Sequence, residues 1–320
     1  MEKVKIGCVG VGGVASLHLK NIANSNKADL VAVCDIDEER AVRVGKQYGT
    51  RYYTDAEKMI DSEEIDALFI CVPPFAHGDL EEIAAEKGIH LMVEKPVGLD
   101  MKSVLSKYER IKDSGIICAT GYCLRYLDTV GIAKDYLRDK KVSMARGHYL
   151  TSFVSTSWYR EMKKSGGQLV EQSTHIVDMI RYLAGDIKTV HANMNLLSSE
   201  GIANIDIPDV SSVNFSLESG AVGHIDSSFI QPDHRMGVEL LGDNFRLSID
   251  GTDLTIVEED RTITYHSKVD FYEEQDNAFI EAVRTKDISL ILSDYKNGLE
   301  TLGVTLAANE SYETKDVIHL

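Results

Sequence analysis

The sequence GVGGVA at Gly10–Ala15 follows a short apolar run, Val4–Val9, and begins a helical pattern. It fits G-x-G-x-x-G/A, in which the first glycine makes a tight turn, the second lets the backbone approach a pyrophosphate, and the last small residue allows close helix–strand packing. Asp35 ends the next apolar run, about 20 residues further on, where such folds carry the carboxylate that binds a ribose. The stretch predicts a Rossmann-type nucleotide-binding site. The alternative is a simple glycine turn with a solvated aspartate.

The first 120 residues alternate apolar runs with helical patterns. After Val4–Val9 come Leu30–Cys34, Ala67–Val72 and His90–Val93, and Gly88 marks the end of a helix between the last two. Continuous apolar strands separated by helices are typical of a parallel sheet covered on both faces. We therefore predict α/β architecture with a doubly wound parallel sheet in residues 1–122.

The pattern changes after about Tyr122. From Thr189 to His266, strand-like runs follow one another with turn signals between them and no helical pattern. This order favours an antiparallel or mixed sheet. With 320 residues and roughly 150 residues per domain, two domains are expected. The second, residues 123–320, is predicted to be an α/β domain with a large open sheet.

Charge and composition restrict the partners. The chain has 51 acidic and 34 basic side chains and a net charge of −17, which disfavours nucleic acid and anionic membranes. No apolar stretch approaches the roughly 20 residues that span a bilayer, and glycines interrupt the N-terminal apolar run. The five cysteines contain no CxxC motif and indicate reduced, buried thiols. We expect a cytoplasmic protein.

Asp35 also indicates which dinucleotide is bound. A carboxylate accepts hydrogen bonds from ribose hydroxyls and repels a 2′-phosphate, so it favours NAD over NADP. Arg40 is the nearest basic residue downstream and lies in the next predicted helix. Its guanidinium leaves NADP possible.

A second motif is Glu94-Lys95-Pro96, directly after the apolar run His90–Val93. Ligands of open parallel sheets bind beyond the carboxyl ends of the strands, so this position directs Lys95 toward the predicted crevice. The alternative is an exposed lysine followed by a strand-ending proline.

A third pattern lies on the predicted helix Leu169–Leu183. Glu171, His175, Asp178 and Tyr182 are spaced so that they form one polar stripe. A solvated helix face is one alternative, and a metal site that uses Glu171 and His175 is another. Zinc needs three or four ligands, and no further histidine or cysteine cluster is nearby. No metal is therefore predicted.

Together these segments resemble the glucose–fructose oxidoreductase/inositol dehydrogenase (Gfo/Idh/MocA) family. The resemblance covers nearly the whole chain and rests on the order and spacing of its motifs, which are the glycine turn with Asp35, Val72-Pro73-Pro74, Glu94-Lys95-Pro96, Ser165-Gly166-Gly167 with Glu171, His175 and Asp178, and Ala307–Ser311. It implies a Rossmann domain and a C-terminal α/β domain whose open sheet borders the substrate site and commonly forms the oligomer interface. It also implies a cis peptide before Pro96.

In this family the lysine of the Glu-Lys-Pro motif and a downstream Asp-x-x-x-His pair form the catalytic group. Lys95 and His175 match this pattern, whereas Glu171 stands at the aspartate position and carries one more methylene. Histidine suits proton exchange with a substrate hydroxyl because its pKa lies near neutrality. In this hypothesis Lys95 binds the same oxygen and Glu171 orients the pair. The reverse assignment, with a desolvated Lys95 as the base, stays open.

The remaining predicted site residues contact the cofactor or the substrate. Aromatic faces and hydrogen-bonding groups suit a hydroxyl-rich ring, although each aromatic residue could belong to the core, and Arg125 could bind a carboxylate, a phosphate or the cofactor. The predicted cofactor contacts are Gly10, Gly12, Gly13, Val14, Ala15, Asp35, Ile36, Val72, Pro73, His77, Glu94 and Lys95. The predicted substrate contacts are Tyr122, Arg125, Tyr149, Trp158, Tyr159 and Asp178.

The expected function is hydride transfer between NAD(H) and a hydroxyl or carbonyl carbon of a sugar, inositol or related polyol. Two alternatives remain open. One is NAD-dependent glycoside cleavage through transient oxidation and elimination, and the other is a non-enzymatic NAD-responsive binding protein. The resemblance implies a homo-oligomer, either a dimer or a tetramer, formed through the sheet in Thr189–His266.

Overall fold

The computed structural model describes residues 2–320 of the chain, and these residues form two compact units. The first unit contains the chain up to Cys123 together with Asp270–Leu299. The second contains Leu124–Val269 and Glu300–Leu320. The domains expected from the sequence were the continuous ranges 1–122 and 123–320. In the structure the chain leaves the first unit near residue 122 and returns to it at Asp270–Leu299.

The sheet of the first unit contains the strands β1 (Val4–Val9), β2 (Ala28–Cys34), β3 (Arg51–Tyr53), β4 (Ala67–Ile70), β5 (His90–Val93) and β6 (Cys118–Thr120). All neighbouring pairs are parallel, in the spatial order β3-β2-β1-β4-β5-β6. The strand order reverses beside β1, so the carboxyl end of β1 lies at the switch point where such sheets bind ligands. The predicted doubly wound parallel sheet is confirmed.

The described chain contains the α-helices α1 (Ala15–Asn24), α2 (Glu38–Tyr48), α3 (Ala56–Ser62), α4 (Leu80–Glu86), α5 (Met101–Ser114), α6 (Asp128–Leu137), α7 (Met162–Ser165), α8 (Gln168–Glu171), α9 (Thr174–Ala184), α10 (Phe271–Thr285) and α11 (Tyr295–Thr314). Short 3-10 helices cover Pro74–Ala76, Cys123–Tyr126, Ser157–Arg160 and Ile288–Leu290. Local sequence sets several helix ends. Asp37, for example, caps α2 by accepting a hydrogen bond from the Arg40 amide at 3.1 Å.

Helix α10 belongs to the first unit because its apolar face packs into the same core as the N-terminal strands. Phe279 is fully buried, and its ring meets that of Phe69 of β4 edge to face, with 5.5 Å between the ring centroids. Ile280 and Val283 join the same cluster, which also contains Leu19 of α1. Burial of these side chains explains why Asp270–Leu299 returns to this unit.

The second unit contains a nine-stranded sheet within residues 2–320, made of β7 (Val142–Leu150), β8 (Ile187–Asn195), β9 (Val210–Leu217), β10 (Val222–Ser228), β11 (Arg235–Gly242), β12 (Phe245–Asp250), β13 (Asp253–Glu258), β14 (Thr262–Tyr265) and β15 (Ile318–His319). The order is β14-β13-β12-β11-β7-β10-β9-β8-β15. Only β7 and β10 pair in parallel. The expected large mixed sheet is therefore confirmed.

Helix α9 packs closely on this sheet at Gly147 of β7. A Cβ atom on Gly147 would lie 2.4 Å from Cγ2 of Ile176, so only glycine allows this approach. The buried side chain of Ile180 continues the apolar face of α9, and its Cδ1 and Cγ1 of Ile225 in β10 lie 3.1 and 3.3 Å from the same Cβ position.

The continuous helix predicted over Leu169–Leu183 is wrong. Residues 172–173 interrupt it between α8 and α9, and the amide of Ser173 donates to the carbonyl of Gln168, five residues earlier, at 3.0 Å. This wider turn breaks the regular pattern of bonds four residues apart. Glu171 therefore ends one helix and His175 lies at the start of the next, so they do not share one helical stripe.

Cys8, Cys34, Cys118 and Cys123 are buried, Cys71 is partly buried, and all five thiols are free of disulfide bonds. Across residues 2–320, no helix combines the length and apolar character needed to cross a membrane.

Candidate active site

The glycine turn after β1 has the geometry of a phosphate-binding loop. Gly10 has φ +80°, and a Cβ atom there would lie 2.8 Å from the carbonyl oxygen of Cys71. Ala15 is fully buried where α1 meets the sheet. Around Gly12, an added Cβ would meet only the Arg40 side chain, at 3.5 Å or more. Glycine is thus required at Gly10 by backbone contact, while Gly12 leaves the approach to the loop open.

The start of α1 fits an anionic ligand. Val14 provides no side-chain cap, and the first turn contains no acidic residue. Backbone N–H groups and the helix dipole at such an end attract phosphate. The donor set and the open glycine turn therefore fit the pyrophosphate of a dinucleotide.

Asp35 is held rigidly beside this turn. Its carboxylate is 5% exposed and accepts hydrogen bonds from the amides of Val11 and Asp37, both at 3.0 Å. The Arg40 guanidinium reaches back from α2 and binds both Asp35 oxygens, at 3.1 and 3.0 Å, and Asp37 at 3.0 Å. Charges of both signs thus lie at the predicted ribose position. Ile36 next to it is 93% exposed.

The segment after β4 has two different environments. Val72 and Pro73 are partly exposed, and Cγ1 of Val72 lies 2.8 Å from the position of a Cβ on Gly10. His77 is 3% exposed, and its Nδ1 lies 2.6 Å from Glu81. Glu81 is fully buried and also binds Lys107 at 2.7 Å. His77, a predicted cofactor contact, is therefore already bound to Glu81 of the buried Glu81–Lys107 ion pair.

The Glu-Lys-Pro segment lies directly after β5, with a cis Lys95–Pro96 peptide, as expected. Lys95 is partly buried, and its amide donates to Oε2 of Glu94 at 3.1 Å. Because β1 and β5 run parallel in one sheet, Lys95 and the glycine turn lie at the same edge of that sheet.

Sequence reasoning missed two residues behind Glu94, which are His18, bound to Glu94, and Asp276, bound to His18. The ring of His18 places Nε2 3.0 Å from Oε1 of Glu94 and Nδ1 2.7 Å from Oδ1 of Asp276. Burial by itself lowers the pKa of His18, but the charges and hydrogen bonds of Asp276 and Glu94 outweigh it and raise that pKa to about 10. The only sequence signal was a polar residue on the apolar face of each helix.

The predicted polar stripe of the second unit is largely buried. Glu171 and Asp178 are 5% and 2% exposed, while His175 is partly exposed. The alternative of a solvated helix face is therefore wrong. Since Glu171 ends α8 and His175 lies in α9, the loop between the two helices sets the positions of both side chains.

Arg125 and Asp178 bind each other. The guanidinium of Arg125 donates two hydrogen bonds to the Asp178 carboxylate, at 2.8 and 2.7 Å, and lies over the ring of Tyr182 at 4.5 Å. Asp178 also accepts a bond from Thr301 at 3.2 Å. Both charged side chains are buried, which suits a bidentate structural pair. Their predicted contact with substrate stays a prediction.

The predicted aromatic contacts fall into two groups. Tyr122 is 1% exposed, which favours a core role. Tyr149 is partly exposed and meets His234 edge to face at 5.1 Å. Trp158 and Tyr159 form a partly exposed pair with 4.5 Å between their ring centroids. Among residues 2–320, no group of three or more His, Cys, Asp or Glu side chains is arranged to hold a metal.

The fold and the glycine-turn site define a nicotinamide-dinucleotide-binding oxidoreductase. Residues 4–122 match the family described as "Oxidoreductase family, NAD-binding Rossmann fold", and residues 141–257 match the "GFO/IDH/MocA C-terminal domain". These matches cover more than half of the chain. The protein belongs to the GFO/IDH/MocA oxidoreductase family, with NAD as its cofactor, and the resemblance identified from the sequence is confirmed.

Characterised relatives are similar over most of their length. The chain is 28% identical over 248 residues to the NAD⁺-dependent scyllo-inositol 2-dehydrogenase of Bacillus subtilis strain 168, covering 75% of this chain and 72% of that enzyme. It is 25% identical to the myo-inositol 2-dehydrogenase of Thermotoga maritima, covering 99% and 98%. Levoglucosan dehydrogenase, solved with NADH and L-sorbose, has the same fold, with a TM-score of 0.90 at 18% identity and coverage of 100% and 99%.

Replacing Gly10 tests the phosphate-binding turn. Gly10→Ala should weaken NADH binding by about 10-fold or more, because the methyl group meets the Cys71 carbonyl in addition to the strain of a positive φ. Fluorescence titration with NADH measures the dissociation constant. Gly49→Ala is the matched control, since its φ is +67° and nothing lies within 4 Å of an added Cβ. Equal affinities for the two variants would contradict the role of Gly10.

The buried His18 predicts a pH-dependent contribution to stability. Its pKa rises from the ordinary value of 6.5 to about 10 on folding, so the stabilisation is complete below about pH 6.5 and is lost as the pH rises to about 10. The difference in unfolding free energy between the native chain and His18→Gln should shrink by roughly 1.4 kcal/mol per pH unit in that window. Urea unfolding at several pH values measures it. A constant difference would contradict a protonated His18.

Proposed function

We propose that this protein is an NAD-dependent dehydrogenase that acts on a CH–OH group of a sugar, inositol or related polyol. The observation that carries the proposal is the position of Lys95 at the sheet edge that also holds the glycine turn. A lysine at this edge is suited to binding the oxygen of a substrate whose carbon exchanges hydride with the cofactor. The relatives that act on scyllo-inositol and myo-inositol support the substrate class.

The proposed chemistry divides three tasks among the residues of the chain. Bound NAD supplies the hydride acceptor. Oxidation of a carbinol also releases the hydroxyl proton, and His175 is the proposed group that takes it, because imidazole titrates near neutral pH. Lys95 donates a hydrogen bond to the same oxygen and stabilises negative charge on it. Glu171 is the proposed anionic group that orients this pair, with the reverse assignment, Lys95 as the base, as the second candidate.

The proposed substrate contacts rest on the exposed aromatic surface of the second unit. The rings of Trp158 and Tyr159 contact each other at a tilt of 46° and remain partly exposed, so their faces suit the C–H side of a sugar or polyol ring. Tyr149 adds a partly exposed hydroxyl-bearing ring. Arg125 and Asp178 bind each other in a buried bidentate pair, and the substrate contact predicted for them is part of the proposal.

Turnover of the two catalytic variants tests the function. A panel of inositols, aldoses and sugar acids is incubated with NAD, and NADH formation is followed at 340 nm. Lys95→Ala and His175→Ala should each lower kcat by roughly 10²-fold, the usual contribution of acid–base catalysis. Lys102→Ala and His319→Ala, which alter exposed side chains, are the controls.

Other outcomes of this assay identify the alternatives. Substrate cleavage without NADH accumulation would indicate the transient-oxidation glycosidase. Tight NADH binding without turnover of any substrate would indicate an NAD-responsive binding protein. Near-normal kcat for His175→Ala would contradict its role as the proton acceptor.

Asp35 and Arg40 predict the dinucleotide preference. Asp35→Ser removes the carboxylate that repels a 2′-phosphate and releases the Arg40 guanidinium, so the ratio of kcat/KM for NADP to that for NAD should rise at least about 10-fold. Steady-state kinetics with both dinucleotides measure this ratio. Asp37→Ser is the matched control, because it also removes an Arg40 partner but keeps a good helix cap. An unchanged ratio in Asp35→Ser would show that Asp35 does not select the cofactor.

We also propose that the protein is a cytoplasmic homo-oligomer without nucleic-acid partners. The outer face of the nine-stranded sheet supports the homo-oligomer. Met144 and Val222 are register partners there, and they are 41% and 51% exposed. Adjacent exposed apolar side chains favour self-association. The net charge of −17 supports the absence of nucleic acid. Sedimentation velocity measures the subunit number.

A further inference from the structure

A chain of three buried ionisable side chains crosses the first unit. Asp276 of α10 is fully buried, and its Oδ1 lies 2.7 Å from Nδ1 of His18 in α1. His18 is also fully buried, and its Nε2 lies 3.0 Å from Oε1 of Glu94, which is 5% exposed. Three segments that are far apart in sequence thus meet through two charge-assisted hydrogen bonds.

The protonation state of His18 controls both bonds. A neutral imidazole has one donor and one acceptor, so one of its two nitrogens would present a lone pair to a carboxylate. Only the imidazolium donates to both carboxylates, and two carboxylates around it favour that form. Asp276 therefore keeps His18 able to donate to Glu94. Asn21 supports the same arrangement by donating to Oδ2 of Asp276 at 2.8 Å.

Glu94 connects His18 to the backbone of the next residue, Lys95. Its Oε1 is bound by His18, and its Oε2 accepts the amide of Lys95 at 3.1 Å. The carboxylate also packs against the backbone of Gly121, where an added Cβ would lie 2.7 Å from both oxygens. With both oxygens engaged and glycine on one side, the Glu94 side chain has little freedom to rotate.

We propose that His18 and Asp276 are positioning residues for Lys95, and that the chain Asp276–His18–Glu94 fixes the backbone of the Glu-Lys-Pro segment. The inference rests on the proposed function, in which Lys95 acts on the substrate oxygen. Neither His18 nor Asp276 acts on the reacting atoms. Their effect passes through Glu94 to the Lys95 amide.

The cost of burial supports a specific role for this chain. Burying three ionisable groups carries a desolvation cost that apolar side chains of similar size would avoid. The rings of Phe69 and Tyr272 flank His18, with their centroids 5.4 and 5.9 Å from that of the imidazole. An ordinary core contact at this place would not need charged side chains. Holding the Glu94 carboxylate in one defined direction does need charged partners.

The test uses Asp276→Asn, which keeps the shape and removes the charge. Glu274→Gln is the matched control, because it makes the same change on the exposed side of α10. Three quantities are measured on the 320-residue protein. They are the NADH dissociation constant and stoichiometry, kcat per NADH-binding site with the best substrate of the panel, and hydrogen exchange of the Lys95 amide without cofactor.

For Asp276→Asn we expect kcat per NADH-binding site to fall about 10-fold and the Lys95 amide to exchange about 10-fold faster, which is the scale of one charge-assisted hydrogen bond. The NADH dissociation constant should change by less than about 3-fold, because the glycine turn is untouched. Glu274→Gln should match the native chain in all three quantities. Counting NADH-binding sites removes any contribution from misfolded protein.

Unchanged kcat per site and unchanged Lys95 exchange in Asp276→Asn would overturn the inference. Should that variant fail to fold, Asn21→Ala weakens the same chain from its partly exposed end and should accelerate Lys95 exchange to a smaller extent. Unchanged exchange in Asn21→Ala would then overturn it. Failure of the proposed function has a different signature, which is full turnover by Lys95→Ala.

Discussion

One buried imidazole shared by two carboxylates is the constraint on which the first unit depends. His18 lies on the helix that begins at the glycine turn, Glu94 begins the Glu-Lys-Pro segment, and Asp276 comes from the returning helix. The same contact therefore links the cofactor loop, the proposed catalytic lysine and a segment from much later in the chain. Because an imidazolium between two anions has little freedom in a dry interior, these parts keep a fixed relation within the unit.

The second unit uses buried charge in a different way. Arg125 and Asp178 satisfy each other in a bidentate pair, and Arg181 continues the network by donating to Thr301 at 2.8 Å and to Glu300 at 2.7 Å. Asp178 and Arg181 belong to α9, the helix that carries His175. Fixed side chains on the same helix suit the proton exchange proposed for His175, because the geometry of proton transfer tolerates little displacement.

Local signals in the sequence predicted most of the first sheet. β1 and β5 have the predicted bounds, since continuous apolar runs between glycines, prolines and acidic caps specify buried strands. The short edge strand Arg51–Tyr53 was not assigned, because it is exposed and carries no apolar pattern. The break at residues 172–173 was missed because regular spacing on both sides resembles one helix. The domain ranges missed Asp270–Leu299, because helical periodicity does not show which core a helix joins.

The sequence by itself determined the glycine turn, the acidic residue that follows β2 and the Glu-Lys-Pro motif, because each depends on residues close together along the chain. The order and spacing of such motifs determined the family. Tertiary structure alone decided that Arg125 binds Asp178 and that His18 joins Glu94 to Asp276. These contacts join side chains whose partners are chosen by packing and desolvation. A buried charge takes the partner that the fold brings within hydrogen-bond distance, and no local pattern records that choice.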